Sequence, residues 1–319
     1  MLKYLIILLD DTSTSYCHYD NLRTEKELIS LDILKAGIRF GMMENLMIQF
    51  VYPNYELPEE YKEVIESIDH SKIVPSLCED NQLVEEADVI VFHDWVDIKY
   101  GMKYADKSYV LRTTKAELFE QYLCLKEFLP KVARLNIVIT DIETFDDSDF
   151  KKYELILNAL SEYIEKSYVE GKSPQMNLLT DRMMLSGMNN CGAGDTNITL
   201  APNGKFYVCP AFYLEDEANS IGDLEHGLDI KNKQLYKLEY APICRHCDAY
   251  QCKRCVWLNR KTTLEVNTPS HEQCVVAHLE RNASRELLQN IRKHGSFLPE
   301  QEEIKQIDYL DPFDNHNDW

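Results

Sequence analysis

The period of the hydrophobic positions changes several times along this chain, and each change marks an element. Tyr4 to Leu9 is a continuous apolar run, the pattern of a strand buried on both faces. From Ile29 to Asn45, apolar residues recur at helical spacing: Leu31, Leu34, Ile38 and Met42. Met47 to Tyr52 reads as a second strand stopped by Pro53, and Pro58 to Ile68 as a helix with proline in its first turn. A weak strand over Lys72 to Pro75 and a strong one over Asp88 to Phe92 follow. Ala116 to Leu129 predicts a helix with Leu118, Tyr122 and Leu125 on one face, and Asn136 to Thr140 another strand. Lys151 to Tyr168 predicts a long amphipathic helix ending near Gly171, and Met176 to Leu179 a last short strand. Strands alternating with helices imply an α/β fold with a parallel sheet and right-handed crossovers, either open or curved into a partial (β/α) barrel.

Near residue 186 the pattern changes. Helical periodicity is expected to stop, and Gly187, Asn189, Asn190, Cys191, Gly192 and Gly194 dominate. Seven of the ten cysteines lie between 191 and 274. The expected organisation is an α/β domain over 1–185, a separate metal-stapled domain over 186–290, and an acidic, loosely held tail over 291–319. Ile198 to Val208 reads as a β-hairpin turning at Pro202-Asn203-Gly204, because Asn-Gly is a strong hairpin signal.

Charge narrows the partners. Fifty-four acids against 34 bases leave a net charge of −20, which argues against a nucleic-acid binder and against docking on anionic lipid. The longest aliphatic run, Leu5 to Leu9, falls far short of a membrane span, and Asp10-Asp11 stand where a signal-peptide cleavage site needs small residues. A cytoplasmic protein is expected. In that reducing compartment, clustered thiols point to metal rather than disulfides.

Cys244-Arg-His-Cys247 and Cys252-Lys-Arg-Cys255 are two C-x2-C pairs, with Cys274 further on and Cys191 and Cys209 upstream. A spacing of two lets one tight turn aim both sulfurs at a single centre. Thiolates crowded this closely must be deprotonated and neutralised by metal. Independent buried cysteines are the bland alternative, and seven at these spacings argue against it. Two C-x2-C pairs alone read as structural zinc, but seven cysteines exceed one tetrahedral site and also suit iron–sulfur clusters.

The order Cys, Gly-x4-Cys, C-x2-C-x4-C-x2-C, Cys resembles the SPASM domain, the auxiliary-cluster extension of many radical-SAM enzymes that modify ribosomal peptides. The resemblance includes Cys191-Gly-Ala-Gly194, Cys209-Pro210 and Ser220-Ile-Gly-Asp-Leu224, and it covers residues 186–280. It implies two [4Fe–4S] clusters with crossed ligation. Cys191, Cys209 and Cys255 would hold one, and Cys244, Cys247, Cys252 and Cys274 the other. A radical-SAM enzyme also needs C-x3-C-x2-C after its first strand. Here those positions are Asp10, Thr14 and Cys17. The chain therefore looks like a degenerate radical-SAM/SPASM protein that binds no S-adenosylmethionine. As a whole it most resembles the CXXX-repeat peptide maturase family, through Leu5-Ile-Ile-Leu-Leu-Asp-Asp11, Tyr16-Cys17-His18-Tyr19-Asp20 and Asn45 to Pro53. That resemblance implies an accessory protein acting beside a true radical-SAM maturase on a precursor peptide. The alternatives are a zinc-stapled peptide-binding module and an enzyme that uses an open cluster iron.

Asp10, Asp11, Asp94, Asp141 and Glu143 follow expected strands, where parallel α/β folds carry function. They could form an acidic rim for a metal or a basic peptide, or simply cap the next helices. His246 and His271 flank cysteines, and Arg245, Lys253, Arg254 and Arg260 sit where they could offset cluster charge. Cys17 with His18, Cys78 and Cys124 read as loop or packing residues.

Overall fold

The alternation of strands and helices carries into the computed structural model, which describes residues 1–101 and 103–304. The described chain divides into two units. The first comprises Met1–Gly101 and Gly192–Tyr240, and the second residues 103–191 and 241–304.

The first unit is a sheet of β1 (Tyr4–Leu8), β2 (Met47–Val51), β3 (Ser71–Pro75), β4 (Val89–Phe92), β7 (Asn197–Leu200) and β8 (Phe206–Tyr207). Their order is β4-β3-β2-β1-β7-β8. β1 to β4 and β7 run parallel, with Leu5 opposite both Ile48 and Ile198, and β8 returns antiparallel from the hairpin. Leu5, Ile7, Phe50, Val51, Val74 and Ile90 are wholly buried, as strands covered on both faces require. Helices α1 (Leu31–Met43), α2 (Glu59–Glu66) and α3 (Asn81–Glu86) make the crossovers between β1 and β4, and α4 (Trp95–Gly101) follows β4. The Ser30 side chain caps α1 by accepting from the Ile33 amide. Gly37 and Gly41 let α1 lie close on the sheet, because a Cβ at either would press into the Leu200 or Ile48 side chain. A short helix α9 (Pro210–Glu215) follows β8. The expected hairpin is present, and its first strand extends the N-terminal sheet beside β1.

The second unit contains the parallel pair β5 (Ser108–Thr113) and β6 (Arg134–Ile139). Sequence patterning missed β5, because Ser108, Arg112 and Thr113 flank an apolar run of only three residues, Tyr109 to Leu111. The single helix expected over Ala116 to Leu129 is α5 (Lys115–Gln121), a 3-10 turn, and α6 (Leu125–Phe128). α7 (Asp147–Val169) starts at an Asp146 capping box. The strand expected at Met176 to Leu179 reduces to one bridge, Met176 to Leu135, before α8 (Thr180–Met184) begins. Asn177 still satisfies the edge of β6. Its amide accepts from Ile137 N at 2.8 Å and donates to Ile137 O at 2.8 Å.

Helical periodicity does not stop at 186. α10 (Val256–Thr263) and the 23-residue α11 (His271–Lys293) follow, with α11 packed along α7. Its buried face mixes Val276, Ala277, Leu287, Leu288 and Ile291 with Gln273, Glu280, Arg281 and Ser284. That mixture hid the helix from a hydrophobic pattern. Among the described residues, no helix is long and apolar enough to cross a membrane. Of the tail expected over 291–319, residues 305–319 lie outside the described residues.

Candidate metal centre

In the second unit, Cys244, Cys247, Cys252 and Cys274 line one cavity, together with Arg254, Gln273, Ala277 and His278. Each cysteine arrives on a different local device. Cys244 opens a 3-10 turn, Cys247 ends it, Cys252 follows the turn after Ala249, and Cys274 sits in the first turn of α11. The Ala249 amide donates to Cys247 Sγ at 3.4 Å. Burial, aided by neighbouring thiols and opposed by Arg254, pushes the Cys244 thiol up to about 11 and the Cys252 thiol up to about 12. As free thiols they are protonated at neutral pH, so binding a cation here releases protons.

The cavity wall is braced by buried charge. Both carboxylate oxygens of Asp248 accept from Arg281 Nη1, at 2.6 and 2.7 Å. The Asp248 carbonyl accepts from Arg182 Nε at 2.7 Å. Arg254, with its backbone in the left-handed region at φ 46°, is 2% exposed and hydrogen-bonds Cys244.

Sequence reasoning missed His278. Its Nε2 lies 3.3 Å from Cys247 Sγ, and with Asp248 these two make a group of possible ligands within 4.8 Å of one another. The only sequence signal was the i, i+4 spacing from Cys274, which has meaning only once the helix is known.

The remaining cysteines separate by unit. Cys191 and Cys255 belong to the second unit. The Cys191 amide donates to Lys253 O at 3.0 Å, and Cys255 Sγ accepts from Leu258 N at 3.4 Å at the start of α10. Cys209 belongs to the first unit, where it precedes α9.

The positions that would carry a radical-SAM cluster are built into the polar loop after β1. Asp10 is fully buried. Thr12 donates to its Oδ1 from N at 2.7 Å and from Oγ1 at 2.5 Å, and the Tyr55 hydroxyl donates to its Oδ2 at 2.7 Å. Thr14 Oγ1 lies 2.7 Å from His93 Nε2. Asp11 accepts from Arg23 Nη1 at 2.5 Å and from the Tyr213 hydroxyl, with the guanidinium 4.2 Å above the Tyr213 ring. Burial, and then Asp11, push the Tyr213 phenol far up, so it stays a donor. Asp94 accepts from Asp97 N at 2.8 Å. In the second unit, Asp141 accepts from Lys115 N at 2.8 Å at the start of α5, and Glu143 pairs with Lys261 at 2.5 Å.

No family model matches the chain, and no curated protein matches it. Its fold is similar to solved structures of anSMEcpe. Against the hexahistidine-tagged protein with bound AdoMet, the identity is 12% and the TM-score 0.62, over 91% of this chain and 96% of that one. Against the native protein with AdoMet and the Cp18Cys peptide, the identity is 12% and the TM-score 0.60, over 92% of this chain and all of that one. At such identity the likeness is one of fold.

Proposed function

We propose that this protein is an accessory maturation factor for a ribosomally made peptide with CXXX repeats. In this reading it carries two [4Fe–4S] clusters and works beside a true radical-SAM enzyme. Cys244, Cys247, Cys252 and Cys274 hold one cluster, and the assignment of Cys191, Cys209 and Cys255 to the other rests on the resemblance of segment 186–280 to the SPASM domain. The observation that carries the reading is one cavity lined by four cysteines, Cys244, Cys247, Cys252 and Cys274, a donor set that suits a four-iron cluster. Such a cluster supplies a site that takes up and releases single electrons. The loop after β1 adds to the accessory reading, because Asp10 and Thr14 bring harder donors than thiolate and spend them on Thr12, Tyr55 and His93. The similarity in fold to a structure with AdoMet and a peptide supports a peptide-handling ancestry.

Zinc is the second reading, and the pair of Cys247 and His278 favours it. Zinc–sulfur and zinc–nitrogen bonds of about 2.3 and 2.0 Å in a tetrahedron set their ligands about 3.5 Å apart, near the 3.3 Å seen. Against it, both oxygens of Asp248 are held by Arg281. Anaerobic purification with iron, sulfide and zinc analysis tests the proposal. Iron and sulfide in equal amounts support it, with Cys244→Ser and Cys209→Ser each removing about half of the iron. Zinc without sulfide overturns it.

A further inference from the structure

We infer that His278 donates an N–H···S hydrogen bond from Nε2 to Cys247 and thereby raises the reduction potential of the cluster at Cys244, Cys247, Cys252 and Cys274. The inference rests on the cluster reading above. The contact is 3.3 Å, and both residues line the cavity.

The geometry is held from both sides. α11 sets Cys274, His278 and Arg281 at i, i+4 and i+7, on one helical face. Ser270 caps the start of that helix, and the buried Tyr153 hydroxyl on α7 donates to Glu280 at 2.8 Å. On the other side, Arg281 and Arg182 pin Asp248, the residue after Cys247. The imidazole and the sulfur therefore meet across two anchored segments.

His278 does not fit as a further cluster ligand. Each iron of a four-iron cluster takes one protein ligand, directed outward from its corner. With Cys244, Cys247, Cys252 and Cys274 each supplying one iron with its thiolate, the His278 nitrogen 3.3 Å from the Cys247 sulfur would be left to that sulfur. Donation to sulfur is the remaining role. A hydrogen bond to a ligand sulfur stabilises the more negative, reduced cluster, so it raises the potential. On reduction, one electron passes from a low-potential one-electron reductant to the cluster. The N–H stays on His278, and no iron–sulfur bond breaks.

The test uses the full chain, loaded anaerobically and titrated with dithionite and redox mediators under electron paramagnetic resonance. In His278→Leu, one of the two clusters is expected to show about a tenfold lower reduced-to-oxidised ratio at fixed potential, equal to ~59 mV for one electron. Iron and sulfide content stay at wild-type level. His278→Gln, whose amide donates a hydrogen bond, recovers most of the shift. In wild-type protein labelled with 15N-histidine, the reduced cluster shows a nitrogen coupling that His278→Leu loses. Unchanged potentials with intact clusters, or no histidine coupling in the wild type, overturn the inference and leave the clusters standing. Loss of iron in both variants overturns it by making His278 a ligand. Zinc without sulfide in the wild type overturns the inference and the cluster reading together.

Discussion

Glu280 shows how one residue couples this fold to pH. It is buried beside Tyr153, and burial pushes its carboxyl up to about 8, against hydrogen bonds from Tyr153 and Gln251 that favour the charged form. Between the unperturbed 4.5 and about 8, the folded protein keeps a proton that the unfolded chain has lost. Stability is full below that window and falls as pH rises through it. Thermal melts across this range are expected to show a declining Tm, and Glu280→Gln to flatten the decline. A parallel decline in both proteins would assign the slope to another group. The same scale shows what a residue pattern can and cannot reveal. The convergence of Cys244, Cys247 and Cys252 on one cavity was legible because C-x2-C spacing lets one turn aim two sulfurs the same way. His278 and the Asp248–Arg281 pair were not, because their partners lie 31 and 33 residues away and depend on the course of α11.

At the scale of elements, legibility followed burial. β1 and β4 are buried runs of Leu, Ile, Val and Phe, and their sequences declare them. β5 and α11 bury Arg112, Glu280 and Arg281, so their apolar periods are broken. The segment after α7 pairs with β6 through its backbone at Leu135 and through one side chain at Ile137. Asn177 satisfies Ile137 on the side of β6 away from β5, where an open edge would invite another chain. Asn177→Ala is expected to cost about 1–3 kcal/mol, the penalty of leaving backbone polar groups unpaired. It should also speed hydrogen exchange at the Ile137 amide and promote association. Wild-type protection at that amide in the variant would show that β6 needs no such cover.

For the whole molecule, the accessory role proposed above rests in part on the loop after β1, where Asp10 and Thr14 offer harder donors than thiolate. Purified, reconstituted protein is expected to form no 5′-deoxyadenosine from S-adenosylmethionine under strong reductant, and Cys17→Ala to keep its full iron. Detection of that product would return a catalytic cluster to the Asp10–Cys17 loop. The position of β7 has a further consequence, for synthesis rather than chemistry. β1 lies between β2 and β7, yet Tyr4 and its partner Asn197 are about 190 residues apart in the chain. A ribosome adding about 5–20 residues per second needs roughly 10–40 s to supply the missing neighbour. Through that interval the apolar edge of β1 has no strand to pair with, and the emerging polypeptide carries a template for aggregation. A fragment released at Cys191 is therefore expected to sediment as aggregate while the full chain does not. The cell that makes this protein must shield its first strand until the ribosome has passed the hairpin.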